Sequence, residues 1–312
     1  MKKILFILPV LILLFSCFAQ NKKKNTNSGL PVNTTFLNIN PQPFITSLPR
    51  VLNETSGLIF YKGLLWTIND SGGKNVVYGF DFNGEIQHEI EIKDAKNNDW
   101  EEIAQDEKHI YIGDFGNNNG MRKDLKIYKI KKKDIGKKAK QKVDSKKIEF
   151  EYKNQNNYNF QHHVTPYDCE AMIAFNNNLL IFSKNWKTRT TEIYKMPVKK
   201  GKYNLLPTDS INVTGLITGA DISPDKNKLA LIGYKNFKPI LWIFSDFDAD
   251  SLFRGKRTFI EMDSIHSAQT EGICFLGNDS LLISCEANGY FNHQVFLLDL
   301  KTIDTNGAHP GK

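Results

Sequence analysis

The chain has 312 residues, 24% charged and 40% apolar, with Lys+Arg at 41 against Asp+Glu at 34 and a net charge of +7. That length suits one large or two ordinary domains with a sizeable core. The 21 Phe, 11 Tyr and 4 Trp exclude a disordered chain, the 4 Cys exclude a disulfide scaffold, and one long apolar run excludes a polytopic membrane protein.

Lys2 and Lys3 precede an apolar run from Ile4 to Phe15. That is the charged n-region and short h-region of an export signal over residues 1–19. Leu14-Phe15-Ser16-Cys17 resembles a bacterial lipobox, in which Cys17 is diacylated and opens the mature chain. The other reading is ordinary cleavage after Ala19. Both put the mature protein outside the cytoplasm, either secreted or held in the cell envelope by a lipidated Cys17. Residues 20–33 are polar and aperiodic, as a tether is.

Five segments then share one pattern: a polar or acidic start, an apolar residue, a short loop, a strongly apolar strand and a polar turn. They are Glu54-Thr-Ser-Gly-Leu58 with LLWTIND, Asp99-Trp-Glu-Glu-Ile103 with IYIGDFG, Asp168-Cys-Glu-Ala-Met172 with LLIFSKN, Thr218-Gly-Ala-Asp-Ile222 with LALIGYK, and Gln269-Thr-Glu-Gly-Ile273 with LLISCEA. With Leu58, Ile103, Met172, Ile222 and Ile273 taken as equivalent, the steps are 45, 69, 50 and 51 residues. A period near 50 with several short strands per unit predicts a β-propeller.

Each unit offers strands in chain order. The first has 56–61, 64–68, 76–81 and 85–92, separated by the turn residues Ser71-Gly72-Gly73 and Asn83-Gly84. The second has 102–105, 109–113, 125–130 and 146–152, and the third 171–175, 178–183, 191–196 and 208–213. The fourth has 220–223, 228–233, 239–245 and 257–262. The fifth has 272–276, 280–285 and 293–299 and lacks an outer strand, which Thr35–Asn40 can supply from the other terminus. The expectation is an all-β, five-bladed β-propeller over 34–302, closed by an N-terminal strand and followed by a tail over 303–312. Six blades is the alternative, if 41–52 or part of 146–166 forms a further unit.

Lys123 to Lys147 holds 12 Lys and 3 Asp, so this arm and the tether carry the positive charge of an otherwise acidic body. The arm reads as a solvated hairpin extension. Nucleic acid is not the expected partner, because the chain has only 5 Arg, the arm has none beyond Arg122, and the protein is exported. The thiols beyond the signal are Cys169, Cys274 and Cys285. Cys274 and Cys285 fall on one hairpin, so a disulfide is open to them, with buried free thiols as the other reading.

In a propeller the loops entering each inner strand and leaving the second strand share one mouth. Entry loops supply Glu54, Asp99, Glu101, Glu102, Asp168, Glu170 and Glu271; exit loops supply Asp70, Asp114, Lys184, Asn185, Lys235 and Glu286. Two carboxylates ~5 Å apart repel by roughly 3 kcal/mol at an effective dielectric of ~20. They must be separated, protonated, hydrogen-bonded or bound to a cation. The recurring Glu101, Glu170 and Glu271 suggest a repeated structural job, accepting N–H groups from the neighbouring blade. Asp70, Asp99, Asp114 and Asp168 recur less and gather on one side. There, Asp70, Asp114 and Asp168 are candidate ligands of Ca²⁺, which favours oxygen donors. Arg122 and His162-His163 fall nearby, which makes His163, Arg122 and Glu101 the candidate catalytic groups. The mouth is thus expected to bind a small molecule or envelope component through Asp70, Asp99, Asp114, Arg122, Asp168, Glu170 and Glu271.

Two motifs mislead. Asn69-Asp-Ser-Gly-Gly73 resembles the nucleophile motif of trypsin-like proteases, but the rest of that pattern is missing and a hairpin turn explains it. Asp246-Phe-Asp-Ala-Asp250 opens like an EF-hand loop, but Ser251 stands where Gly is needed and Arg257 where Glu should close it.

The set Asn69-Asp-Ser-Gly-Gly73, Asp99-Trp-Glu-Glu-Ile-Ala104, Gly113-Asp-Phe-Gly-Asn-Asn118, Asp168-Cys-Glu-Ala-Met172, Gly219-Ala-Asp-Ile-Ser-Pro224 and Gln269-Thr-Glu-Gly-Ile273 resembles a group of secreted bacterial β-propeller proteins. More distantly it is similar to the SdiA-regulated and gluconolactonase-like propellers. The latter resemblance implies a divalent metal at the channel mouth, with Glu54, Asp114, Asn117 or Asp168 in ligand positions. Two functions follow as expectations: a non-catalytic, envelope-anchored binding propeller, or a metal-dependent hydrolase of a lactone, ester or phosphoester.

Overall fold

The computed structural model describes residues 30–301. The expected export signal, Cys17, most of the expected tether and the expected C-terminal tail therefore lie outside the described residues. The described chain forms five small sheets. Blade 1 is Thr55–Tyr61, Leu64–Asn69, Val76–Phe80 and Ile86–Ile92. Blade 2 is Trp100–Gln105, His109–Asp114, Lys126–Lys131 and Lys146–Tyr152. Blade 3 is Cys169–Phe175, Asn178–Ser183, Thr190–Pro197 and Pro207–Asn212. Blade 4 is Leu216–Ile222, Lys228–Lys235, Lys238–Ser245 and Lys256–Glu261. Blade 5 is Thr270–Phe275, Ser280–Cys285 and Gln294–Asp299, completed by Gln42–Ile45. The five inner strands touch in ring order and the last meets the first, so the propeller has five blades.

Apolar runs such as LLWTI and LLIFS bury both faces of their strands because each sheet is sandwiched between two others. The core is accordingly divided into five clusters, one per blade junction. The largest buried side chains, including Trp66, Trp100 and Trp242, sit in those junctions.

Ring closure differs from the expectation. Gln42–Ile45, not Thr35–Asn40, pairs antiparallel with Gln294–Asp299. Thr34–Asn38 instead runs parallel to Lys256–Glu261 of blade 4. The N-terminal segment thus ties two blades together, and the region 41–52 holds the closing strand rather than a sixth unit.

The lysine-rich arm is not a free hairpin. Its flanks are ordinary strands of blade 2, and Lys140–Val143 between them pairs parallel with Ile86–Ile92 of blade 1. Lys140 reaches Glu89 and Lys142 reaches Glu91, both at 2.8 Å, so the acidic strand EIQHEIEI is what the lysines face. Gly201–Leu205 makes the same move from blade 3 onto Lys146–Tyr152 of blade 2. In all three cases the segment just before one blade's outer strand clasps the outer edge of the preceding blade. The device covers sheet edges that would otherwise be open.

Cys169, Cys274 and Cys285 are free and buried. The hairpin register sets Cys274 opposite Leu282 and Cys285 opposite Thr270, which keeps the two thiols apart.

Candidate functional site

Every inner strand carries a register shift near its start: between Ser56 and Ile59, Trp100 and Glu102, Cys169 and Ala171, Ile217 and Gly219, and Thr270 and Gly272. A bulge of this kind re-aims the extra residue. The extra residues are Gly57 and Leu58 in blade 1 and Glu101, Glu170, Thr218 and Glu271 in the others; Ser56, paired with Ile68, lies beside the first and lines the mouth. The blade 4 bulge makes Ala220, not Ile222, the equivalent of Ile103, so the repeat is offset by two residues there. Asp70, Lys184 and Glu286, just past the second strands of blades 1, 3 and 5, form a further tier with Tyr234, inside the second strand of blade 4.

These tiers surround a cavity of about 630 Å³ where the inner strands begin. A second cavity, of about 820 Å³, opens where they end. Glu102 lines neither cavity. It is fully buried, and its carboxylate accepts Ile103 N–H and, from blade 4, Ala220 N–H, each at 2.9 Å. Gly57 of blade 1 sits against the same carboxylate, at φ +64°. Glu102 therefore links blades 2 and 4 and does the cross-blade accepting that the repeat suggested for its neighbours. Among the described residues, no backbone N–H donates to the carboxylates of Glu101, Glu170 or Glu271.

The mouth is strongly acidic. Asp70, Asp99 and Glu101 bring one carboxylate oxygen each to within 4.8 Å of one another. Gly116, in the Gly-Asp-Phe-Gly stretch, makes room for them: a Cβ there would lie 2.1 Å from Glu101 and 2.5 Å from Asp99. Glu101 is only 5% exposed. Burial, then the Glu170 charge, pushes its carboxyl well above the usual range. Burial, then Asp70, raises Asp99 to about 7. Burial likewise raises Asp70, takes Glu271 to about 7, and with Glu271 beside it takes Glu286 to about 9. Against these acids stands Lys184, bonded to Glu170. Its burial favours the neutral amine, but Glu170 and Glu271 more than offset that and keep it charged.

Three expected site residues lie in the wall instead. Asp114 is fully buried under Arg122, whose Nη2 donates to its Oδ1 at 2.8 Å. Arg122 also donates to Gly116 O and Asp124, so it fastens the exit loop of blade 2 and does not line the cavity. Asp168 is satisfied by the N–H groups of Asn117 at 2.7 Å and Cys169 at 3.0 Å and by Trp186 Nε1 at 2.7 Å. Asp114 and Asp168 thus do not join Asp70 in one donor group. Asn117 bonds Tyr167 O and Arg122 N–H, and Glu54 is exposed, so the ligand positions implied by resemblance do not converge either. His163 does line the cavity, stacked 4.1 Å from Trp186 and 3.9 Å from His162. Burial and His162 lower its pKa, which favours the neutral ring.

The repeat pattern does not mark the aromatic side of the mouth, formed by Trp186, Tyr234, Phe237 and Tyr290. Phe237 and Tyr290 sit in polar turns, where no periodicity marks them. The decoys resolve as turns: Gly72 takes φ +73° after Asp70, and Asp246 takes φ +53° ahead of an Asp248–Ser251 bridge.

No family model matches the chain, and no curated protein matches it. Among solved structures it is similar to the Dos1 propeller, with TM-score 0.40 and 11% identity over 80% of this chain and 55% of that one. It is also similar to hydrazine synthase of Kuenenia stuttgartiensis, with TM-score 0.44 and 13% identity over 90% and 84%. A chain of the mitotic checkpoint complex matches with TM-score 0.36 and 11% identity over 78% and 63%. The chain spans little more than half the length of the Dos1 propeller structure it matches. The five-bladed assignment stands on the strand pairing itself.

Proposed function

We propose that this is an exported binding propeller whose acidic mouth takes a divalent cation on Asp70, Asp99 and Glu101 and a ligand above it. One observation carries the reading. Three buried or half-buried carboxylates share a space that Arg122, 3.9 Å from Asp99, compensates only in part, and Glu101 accepts no hydrogen bond from the described residues. The donors are all carboxylate oxygens, the set that suits Ca²⁺. Ca²⁺ would supply charge compensation and a fixed anchor for a ligand oxygen. A calorimetric titration of EDTA-treated protein with Ca²⁺ tests this. Binding is expected near neutral pH. It should weaken at least about tenfold in Asp70→Asn and in Gly116→Ala, whose new methyl group displaces two of the carboxylates. Absence of both heat and thermal shift overturns the cation.

A hydrolase remains the second reading because His163 faces the same cavity with its ring kept neutral. In that role His163 would accept a proton from an attacking water. Turnover of lactone, ester or phosphoester substrates that disappears in His163→Gln would favour it over plain binding.

Export rests on the N-terminal signal, and anchoring on Cys17. Mass spectrometry of the mature protein is expected to find a diacylated Cys17 as the first residue. An unmodified chain beginning at Gln20 overturns the anchor and leaves export standing.

A further inference from the structure

The aromatic side of the mouth has a chemistry of its own. Lys184 shows what it favours. Its ammonium group is bonded to Glu170 and lies 4.9 Å from the Trp186 ring and 5.4 Å from the Tyr234 ring. A carboxylate below and aromatic faces around is how proteins hold an ammonium ion. Two blades further on, acids and aromatic rings recur around the same cavity with no cation of their own among the described residues. Glu271 and Glu286 lie in the cavity wall, with Phe237 and Tyr290 at its rim. Phe237 is 77% exposed and Tyr290 82%.

The backbone that carries these two rings is held in place. Ser267 N–H donates to Phe237 O at 2.8 Å, and Asn288 Nδ2 donates to Ser267 O at 2.8 Å. Asn288 Oδ1 in turn accepts Tyr290 N–H at 2.8 Å. Phe237 also takes φ +63°, a costly conformation for a bulky residue. The two-residue hairpin turn at Asn236 and Phe237 calls for positive φ at both positions and presents this ring to solvent. Glu286 is fixed as well, accepting Gln269 Nε2 at 2.5 Å. Two fixed carboxyl groups and two exposed rings therefore edge one cavity, and Glu286, which holds its proton to about pH 9, would release it to a bound cation.

We infer that the blade 4–5 edge of the mouth is a subsite for an organic ammonium group, held by Glu271 and Glu286 and covered by Phe237 and Tyr290. The inference rests on reading the mouth as a binding site, and it names the class of ligand: a small molecule or headgroup with an alkylated or primary ammonium. The cation on Asp70, Asp99 and Glu101 is a separate occupant on the blade 1–2 side.

The test is calorimetric titration of the whole protein with choline and with its uncharged isostere dimethylbutanol, each with and without Ca²⁺. Choline is expected to bind at least about tenfold more tightly than the isostere, the range that cation–π contacts with a nearby carboxylate provide. The Phe237→Ala/Tyr290→Ala variant alters only exposed side chains and should fold normally, yet lose that preference. Glu286→Gln should lose it too. Equal binding of the two probes, no binding of either, or variants that bind choline as the parent does overturns the subsite. Asp70→Asn separates the two readings. It should abolish the Ca²⁺ response while choline still binds, so loss of one response without the other identifies which proposal fails.

Discussion

Gly57→Ala is expected to cost roughly 3–5 kcal/mol, the sum of a left-handed backbone and a forced overlap in a packed interior. Gly57 sits at φ +64°, and a Cβ there would lie 2.5 Å from Glu102 Oε1 and 2.6 Å from Ile103 N. Neither neighbour can give way. The Glu102 carboxylate is held by N–H groups of blades 2 and 4, and Ile103 N is one of those donors. Because Gly57 is on blade 1, the clash reaches three of the five inner strands at once. Typical stabilities are about 5–15 kcal/mol, so a loss of this size is a large fraction of the whole. Glu102→Gln tests the same contact from the other side. Its amide presents two hydrogens where the carboxylate presents an acceptor, leaving one buried N–H unpaired at a cost of about 1–3 kcal/mol. Urea midpoints of both variants against the parent protein check this. A Gly57→Ala midpoint close to the parent's would show that this contact is not rigid.

The blades were legible because burial on both faces writes long apolar runs that no other arrangement of short strands explains. Strand limits such as His109–Asp114 and Ser280–Cys285 fall within a residue or so of where turn chemistry puts them. The clasps were not legible. Lys140–Val143 and Gly201–Leu205 are short, polar and parallel to partners far along the chain, so neither alternation nor a hairpin turn announces them. The lysines read as solvated because their counter-charges, Glu89 and Glu91, lie about 50 residues earlier on another blade. The acidic mouth itself was predicted, since Asp70, Glu101, Glu170 and Glu271 follow from the repeat. What the repeat does not encode is direction at a bulge. Asp70 and Asp114 look like counterparts in NDSGG and GDFGN. The register makes Asp114 the equivalent of Asn69, one residue short of the mouth, and there it packs under Arg122. Asp168 matches Asp99 by position, yet Trp186 and two backbone N–H groups occupy its oxygens. One residue of register, or one indole, separates a ligand-facing acid from a wall-building one.

Stability is expected to fall as pH rises through neutrality, the reverse of a protein whose carboxylates are mostly paired. Burial raises Asp99 and Glu271 to about 7 and Glu286 to about 9. In the unfolded chain such groups titrate near 4. Between those limits the folded state keeps protons that the unfolded state has released, so the slope of stability with pH is negative. The contribution is fully present below about pH 4 and is lost as pH climbs through 7 to 9. Each proton is worth about 1.4 kcal/mol per unit of separation, and the three groups are coupled, so a fall of roughly 3 kcal/mol between about pH 5 and about pH 9 is a conservative expectation. His163 works in the opposite sense. Its lowered pKa favours the neutral ring, so its contribution is lost on acidification. It is a single, mostly exposed group and does not reverse the trend. Denaturant midpoints across this range give the profile directly. Glu286→Gln should flatten its alkaline arm by removing the group with the highest of these values. Ca²⁺ should flatten the part owed to Asp99, because a cation on Asp70, Asp99 and Glu101 replaces the proton that those carboxylates otherwise need. A parent profile that is level or rising from acid to alkali would mean that the mouth's carboxylates are already compensated, and neither the cation nor the ammonium subsite would then have surplus charge to draw on.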